Sequence, residues 1–121
     1  MKILVAEDDA MLLKTIELKL KKEGYEVFTT ADGRETQKEI LKIRPDMIIT
    51  DVMMPYASGL EIVSMVRQKL NWKIPIIILS SMEQEAVVMN AFGLGADDYI
   101  TKPFSLNELA IRVKRLLSRP R

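Results

Sequence analysis

Short apolar runs alternate along the chain with longer stretches in which apolar residues recur every three or four positions. Residues 3–6 (Ile-Leu-Val-Ala) read as a buried strand. Leu13, Ile16 and Leu20 follow at helical spacing, and Gly24 supplies a stop. Residues 25–30, rich in β-branched and aromatic side chains, read as a second strand. A weaker helix over 33–44 presents Ile40 and Ile43 and is closed by Pro45. Residues 46–50 hold Met47-Ile48-Ile49, a third strand, and Leu60, Val63, Val66 and Leu70 form a helical stripe after it. Pro75 opens the most apolar strand, Ile76-Ile77-Ile78-Leu79. A helix over 83–92 is stopped by Gly93 and Gly95, and residues 98–101 form a short fifth strand. Ser105 with Glu108 three residues on is a capping-box pattern, and Leu106, Leu109, Val113 and Leu116 face the core of the last helix.

The pattern is five βα units in succession. Strands made of near-continuous Ile, Val and Leu belong to a parallel sheet covered on both faces. Right-handed crossovers and five strands point to an α/β, doubly wound, flavodoxin-like sheet of order 2-1-3-4-5. Residues 1–117 make one domain on this reading, and Ser118-Arg119-Pro120-Arg121 reads as a frayed end or the start of a linker.

Composition removes whole classes of chemistry. The 121 residues include neither Cys nor His. Disulfides, thiolate nucleophiles, histidine triads and the usual zinc ligands are therefore excluded. A hydrophobic share of 48% with 29% charged residues is an ordinary globular composition. Eighteen basic and 17 acidic residues leave a net charge of +1, so neither nucleic acid nor an acidic membrane surface is an expected partner of this domain. No apolar run approaches the ~20 residues of a membrane span and no signal peptide precedes the first strand, so a cytoplasmic address is expected.

In a sheet of this order, ligands bind beyond the carboxyl ends of the strands, where strands 1 and 3 diverge. Strand 1 ends in Glu7-Asp8-Asp9 and strand 3 in Asp51. Asp9 reads as a helix cap. Glu7, Asp8 and Asp51 together repel one another unless a cation intervenes, and all-oxygen ligands favour Mg²⁺, Mn²⁺ or Ca²⁺. Strand 4 ends in Ser80-Ser81 and strand 5 is followed by Lys102-Pro103. A hydroxyl, an ammonium and a cation suit a phosphoryl group, and the nucleophile left available is a carboxylate, with Asp51 at the centre.

These residues resemble the receiver domain of bacterial two-component response regulators across nearly the whole chain. The matching segments are residues 3–9, residues 45–55 followed by Gly59, Ile78-Leu79-Ser80-Ser81, and residues 95–104. The resemblance implies a phosphorylation-dependent signalling switch rather than a turnover enzyme. Asp51 would be the phosphoacceptor and a histidine kinase the donor. Mg²⁺ (or Mn²⁺) would bind Asp8 and Asp51 directly, Glu7 through water, and the backbone carbonyl of Met53. Lys102 would pair with Asp51 or the phosphoryl group, Ser80 would donate its hydroxyl, and Tyr99 would turn inward with it. The Lys102-Pro103 bond would be cis, and the fourth helix, fifth strand and fifth helix would form the surface that changes. A weaker similarity, to regulators carrying a winged-helix DNA-binding output, implies a homodimer face built from Asp97, Asp98, Glu108, Arg112 and Lys114. The basic residue expected on the fourth helix of that face stands here as Asn90.

The residues two after the acceptor and two after the hydroxyl, Met53 and Met82, are apolar. The resemblance makes these the positions that orient hydrolytic water, so slow self-dephosphorylation is expected. Three other readings compete. An aspartate-nucleophile phosphohydrolase needs an acid where Met53 stands. A dinucleotide or flavin binder lacks a G-x-G-x-x-G or P-loop here. A non-phosphorylating interaction module has no need of Asp8, Asp51, Ser80 and Lys102 together.

Overall fold

Period-two alternation divides each strand between two apolar layers. The computed structural model describes residues 1–120; Arg121, the last residue of the expected tail, lies outside the described residues. The strands are β1 (Lys2–Ala6), β2 (Glu26–Thr30), β3 (Met47–Asp51), β4 (Ile76–Ser80) and β5 (Asp98–Thr101). The helices are α1 (Ala10–Lys22), α2 (Gly33–Ile43), α3 (Gly59–Ser64), α4 (Glu85–Leu94) and α5 (Leu106–Leu117). The sheet has the expected order β2-β1-β3-β4-β5 with every pair parallel.

Ile3, Val5, Met47, Ile49, Ile77, Leu79 and Ile100 pack in one layer with Ile16 and Leu20 of α1 and Leu109, Val113 and Leu116 of α5. Their strand neighbours Leu4, Ile48, Ile76, Ile78 and Tyr99 pack in the other, with Ile40 of α2, Ile62 and Val63 of α3, and Ala91 of α4. The central strands β3 and β4 are buried along their whole length, which is why they read as unbroken apolar runs.

The turns at the carboxyl edge of the sheet are fixed by caps. Asp9 accepts from the amides of Met11 and Leu12, Asp32 from Glu35, Ser58 from Glu61 and Ser105 from Glu108. Each satisfies a helix N–H that has no partner inside the helix.

Most element ends fall within a residue or two of the sequence reading, and four differences have a physical cause. Strand β2 starts at Glu26, because the Tyr25 amide donates to the Leu20 carbonyl and completes the end of α1. Helix α4 runs from Glu85 to Leu94, with Gly93 inside it; Gly95, at φ +113°, is the residue that stops it. The stripe from Leu60 to Leu70 is not one α-helix. After Ser64 the backbone widens into a π-turn over Met65–Lys69, closed by the Leu70 amide on the Met65 carbonyl at 3.0 Å. Within that turn Arg67 donates to the carbonyls of Gly95 (3.0 Å) and Trp72 (2.8 Å) and to the Asp97 carboxylate (2.9 Å). A Cβ on residue 95 would come within 2.8 Å of the Arg67 side chain, so glycine is required there for contact as well as for φ. Finally, Ser118 and Arg119, at the start of the expected tail, are tied to the fold. Ser118 donates its amide and hydroxyl to the Lys114 carbonyl, and Arg119 pairs with Asp97 at 3.0 Å.

Ile77 is fully buried in the centre of the sheet, in the layer under α1 and α5. Ile77→Ala is expected to lose about 2–5 kcal/mol of stability through lost transfer energy and an unfilled cavity. Urea unfolding checks this: the midpoint falls and the slope is unchanged.

Candidate functional site

The residues singled out in the sequence meet at the carboxyl edge of β1, β3, β4 and β5. Glu7 directly follows β1 and is fully buried; Asp51 is the last residue of β3 and is nearly so; Asp8 is exposed at the rim. One carboxylate oxygen from each of Glu7, Asp8 and Asp51 lies within 4.8 Å of the other two. Such an all-oxygen acidic set fits a hard divalent cation.

Two of the three acids already share a cation from the chain. The Lys102 ammonium, just beyond β5, lies 2.7 Å from Glu7 Oε1 and 3.0 Å from Asp51 Oδ2. Its backbone is held by the Lys102 amide on the Ser80 carbonyl (2.8 Å) and by a cis Lys102-Pro103 bond, as expected. Burial pushes the Glu7 carboxyl above its ordinary value, helped by the charge of Asp51; the bonds from Lys102 and the Asp9 amide offset only part of this. For Lys102 burial acts to lower the ammonium's pKa, but its two carboxylate partners outweigh it and the net shift is upward. The proton therefore stays on Lys102 at neutral pH, and the site carries one ammonium among three acids.

The other positions surround this centre. The Met53 amide donates to Asp51 Oδ1 at 3.3 Å, and its side chain stands 59% exposed. Ser80 is buried at the end of β4, and its Oγ accepts from the Met82 amide at 3.0 Å. Tyr99 is buried on β5, with its hydroxyl donating to the Met82 carbonyl at 2.8 Å. Ser80 and Tyr99 thus hold opposite ends of one residue, Met82. Gly59 seats the loop between β3 and α3: its amide donates to the Val52 carbonyl, and a Cβ there would sit 2.1 Å from the Asp51 carbonyl oxygen.

The five residues expected on a dimer face do not form one cluster. Asp98, Arg112 and Glu108 are linked within the chain, at 2.8 Å and 3.6 Å, with Arg115 at 3.8 Å from Asp98. Lys114 is exposed. Asp97 faces the other way, holding Arg67, Arg119 and the Ile76 amide. The pairing with Arg67 is invisible in the sequence, since the partners are 30 residues apart and meet only through the π-turn.

Comparison with known proteins gives one consistent outcome. The family model for the response regulator receiver domain matches residues 3–114. A putative response regulator from Chloroflexus aurantiacus is 37% identical, with 98% of each chain covered and a TM-score of 0.90. The receiver domain of the Francisella response regulator 1452 is also 37% identical, over 98% of this chain and 97% of its own, with a TM-score of 0.91. The chemotaxis response regulator CheY4 of Vibrio cholerae is 34% identical over 95% of this chain and 97% of its own, with a TM-score of 0.88.

Removing the ammonium leaves two buried carboxylates uncompensated. Lys102→Met is expected to cost about 3 kcal/mol at neutral pH. Without Lys102 the Glu7 carboxyl rises further in the folded chain than in the unfolded one, so the folded state binds the extra proton and the deficit shrinks as pH falls. Urea midpoints of both proteins at about pH 8 and about pH 5 check the sign, and adding Glu7→Gln should recover most of the loss at the higher pH.

Proposed function

Because this chain belongs to the receiver domains of response regulators, we propose that it is a phosphoryl-accepting switch in which Asp51 takes the phosphoryl group from a histidine kinase. The observation that carries the reading is the Lys102 ammonium held between Glu7 and Asp51 in a cluster of three acids, with the Ser80 hydroxyl at the adjoining strand end. An Asp51 oxygen attacks phosphorus as the bond to the donor nitrogen breaks, and the donor imidazole leaves with the bonding pair. Glu7, Asp8, Asp51 and the Met53 carbonyl would hold Mg²⁺ or Mn²⁺, Asp8 and Asp51 directly and Glu7 through water. When bound, the metal neutralises charge on the transferring phosphoryl oxygens.

Lys102 then has a choice of partners. In the unmodified chain it pairs with Glu7 and Asp51; with Asp51 converted to its acyl phosphate, the phosphoryl oxygens are the stronger acceptor within its reach. Ser80 Oγ, which accepts from the Met82 amide, is free to donate its own proton to the phosphoryl group. A shift of Ser80 draws on Met82, and Met82 carries the Tyr99 hydroxyl. The phosphoryl group thereby biases an equilibrium between two arrangements of α4, β5 and α5 through contacts present in only one of them. We assign the domain to the cytoplasm, with output through this surface, as a homodimer joined to a DNA-binding domain. In that output Asp98, Glu108 and Arg112 exchange bonds within the chain for bonds across a two-fold axis, Lys114 adds an exposed cation, and Asp97 is released from Arg67 and Arg119.

Two outcomes are expected. Incubation with acetyl phosphate and Mg²⁺ should add one phosphoryl mass to the wild type. None should add to Asp51→Asn or without metal, and intact-mass spectrometry reads the result directly. Phosphoryl loss should be slow, because Met53 and Met82 offer no polar group to orient water. Met53→Asn should shorten the half-life of the phosphorylated form by about tenfold, a barrier change of roughly 1.4 kcal/mol, as followed by the decay of that mass.

A further inference from the structure

The loop that joins β3 to α3 contains a backbone conformation its side chain does not favour. Tyr56 sits at φ +72°, and the Ala57 amide donates to the Pro55 carbonyl across it at 2.9 Å. That is a γ-turn of the strained, positive-φ kind, which glycine or asparagine would adopt more readily. Yet the position carries a large aromatic residue whose ring is 71% exposed, so core packing does not explain it. The Arg34 guanidinium lies 4.4 Å from the centroid of that ring.

Arg34 belongs to a rigid post. The first turn of α2 is capped by Asp32, and Glu35 reaches back to the Ala31 amide. Thr36 hydrogen-bonds Thr30 of β2 in the interior at 2.7 Å. Onto this post the loop makes two backbone contacts: the Gly33 amide donates to the Pro55 carbonyl at 3.0 Å, and Gly33 lies so close to Ala57 that a Cβ would meet its carbonyl oxygen at 2.1 Å. The near end of the same loop carries Met53, whose amide bonds Asp51 Oδ1.

We propose that Arg34 and Tyr56 form a clasp that fastens the β3–α3 loop to α2 and so positions Met53 against Asp51. Both are positioning residues: neither touches the reacting atoms, and their effect on phosphoryl acceptance passes through the loop. The inference rests on the proposed function for its kinetic consequence and stands apart from it for its structural one. The ring pinned by Arg34 keeps the turn closed against its own strain, so strength of attachment and stability of the fold are separate quantities here.

That separation supplies the test. Tyr56→Gly removes the strain and the ring together; Tyr56→Phe keeps the ring; Arg34→Ala removes the cation. Hydrogen exchange of residues 52–58 in the unmodified protein should quicken by about threefold in Tyr56→Gly and in Arg34→Ala but not in Tyr56→Phe, the size expected from one exposed cation–π contact. The rate of phosphoryl uptake from acetyl phosphate should fall in the same two variants by a similar factor. The melting temperature of Tyr56→Gly should hold or rise, a combination that a simple loss of structure does not give. The double variant should be no worse than either single one, since both remove the same contact. Unchanged exchange in Arg34→Ala, equal effects of Tyr56→Phe and Tyr56→Gly, or effects that multiply in the double variant would each overturn the clasp. If no protein takes up phosphoryl at all, the functional reading fails, while the exchange rates still decide the clasp.

Discussion

A carboxylate withdrawn from water is tolerable only beside a compensating charge, and in this chain two such carboxylates share one ammonium. Lys102 between Glu7 and Asp51 makes the end of the sheet chemically possible. It also ties together three strands that are not all neighbours. Glu7 leaves β1, Asp51 ends β3 and Lys102 follows β5, so the bond crosses β4 and draws the far side of the sheet over the site. The cis bond at Pro103 and the Lys102 amide on the Ser80 carbonyl fix the backbone from which the side chain reaches. A charge placed in this way is held by the fold and remains able to change partners when the charge around it changes.

The two apolar layers divide the work between scaffold and switch. Tyr99 and Ile100 are consecutive on β5 but face opposite sides of the sheet. Ile100 joins the layer under α1 and α5, which holds the largest share of long buried side chains. Tyr99 faces the α4 side, where α4 begins without a side-chain cap and buries only Ala91. This lightly buried helix follows closely on the residue, Met82, that joins Ser80 to Tyr99.

Much of this was legible in the sequence, for a definite reason. The strands are short, apolar and buried on both faces, so their ends are sharp, and the polar residues at those ends stand out against them. Glu7 with Asp8 and Ser80 are the first polar residues after such runs, and Asp51 and Lys102 each follow a single threonine. What escaped depends on contacts distant in sequence. Arg67 gives no sign that it will pull a helix into a π-turn, because its partners Gly95 and Asp97 lie 28 and 30 residues on. Asp97 looks like a surface acid beside Asp98 until that arginine is in place. Tyr56 reads as a loop residue; its positive φ and its contact with Arg34, 22 residues earlier, appear only in the fold. The tail looked free for the same reason, since Arg119 gains an anchor only once Asp97 is oriented.

The π-turn after α3 makes the length of the chain a structural quantity in its own right. A π-turn holds one more residue than the α-turn it replaces. Deleting one residue from Met65–Lys69 would let the backbone close as an α-turn, with the elements on either side keeping their facing and the residues inside the turn changing theirs. Arg67 would then lose the position from which its guanidinium reaches Gly95, Trp72 and Asp97. A substitution elsewhere in this turn leaves the three Arg67 bonds their donor; a single-codon deletion would take away the turn that presents them. Chain length, and not only residue identity, therefore decides whether Arg67 reaches the connection between α4 and β5.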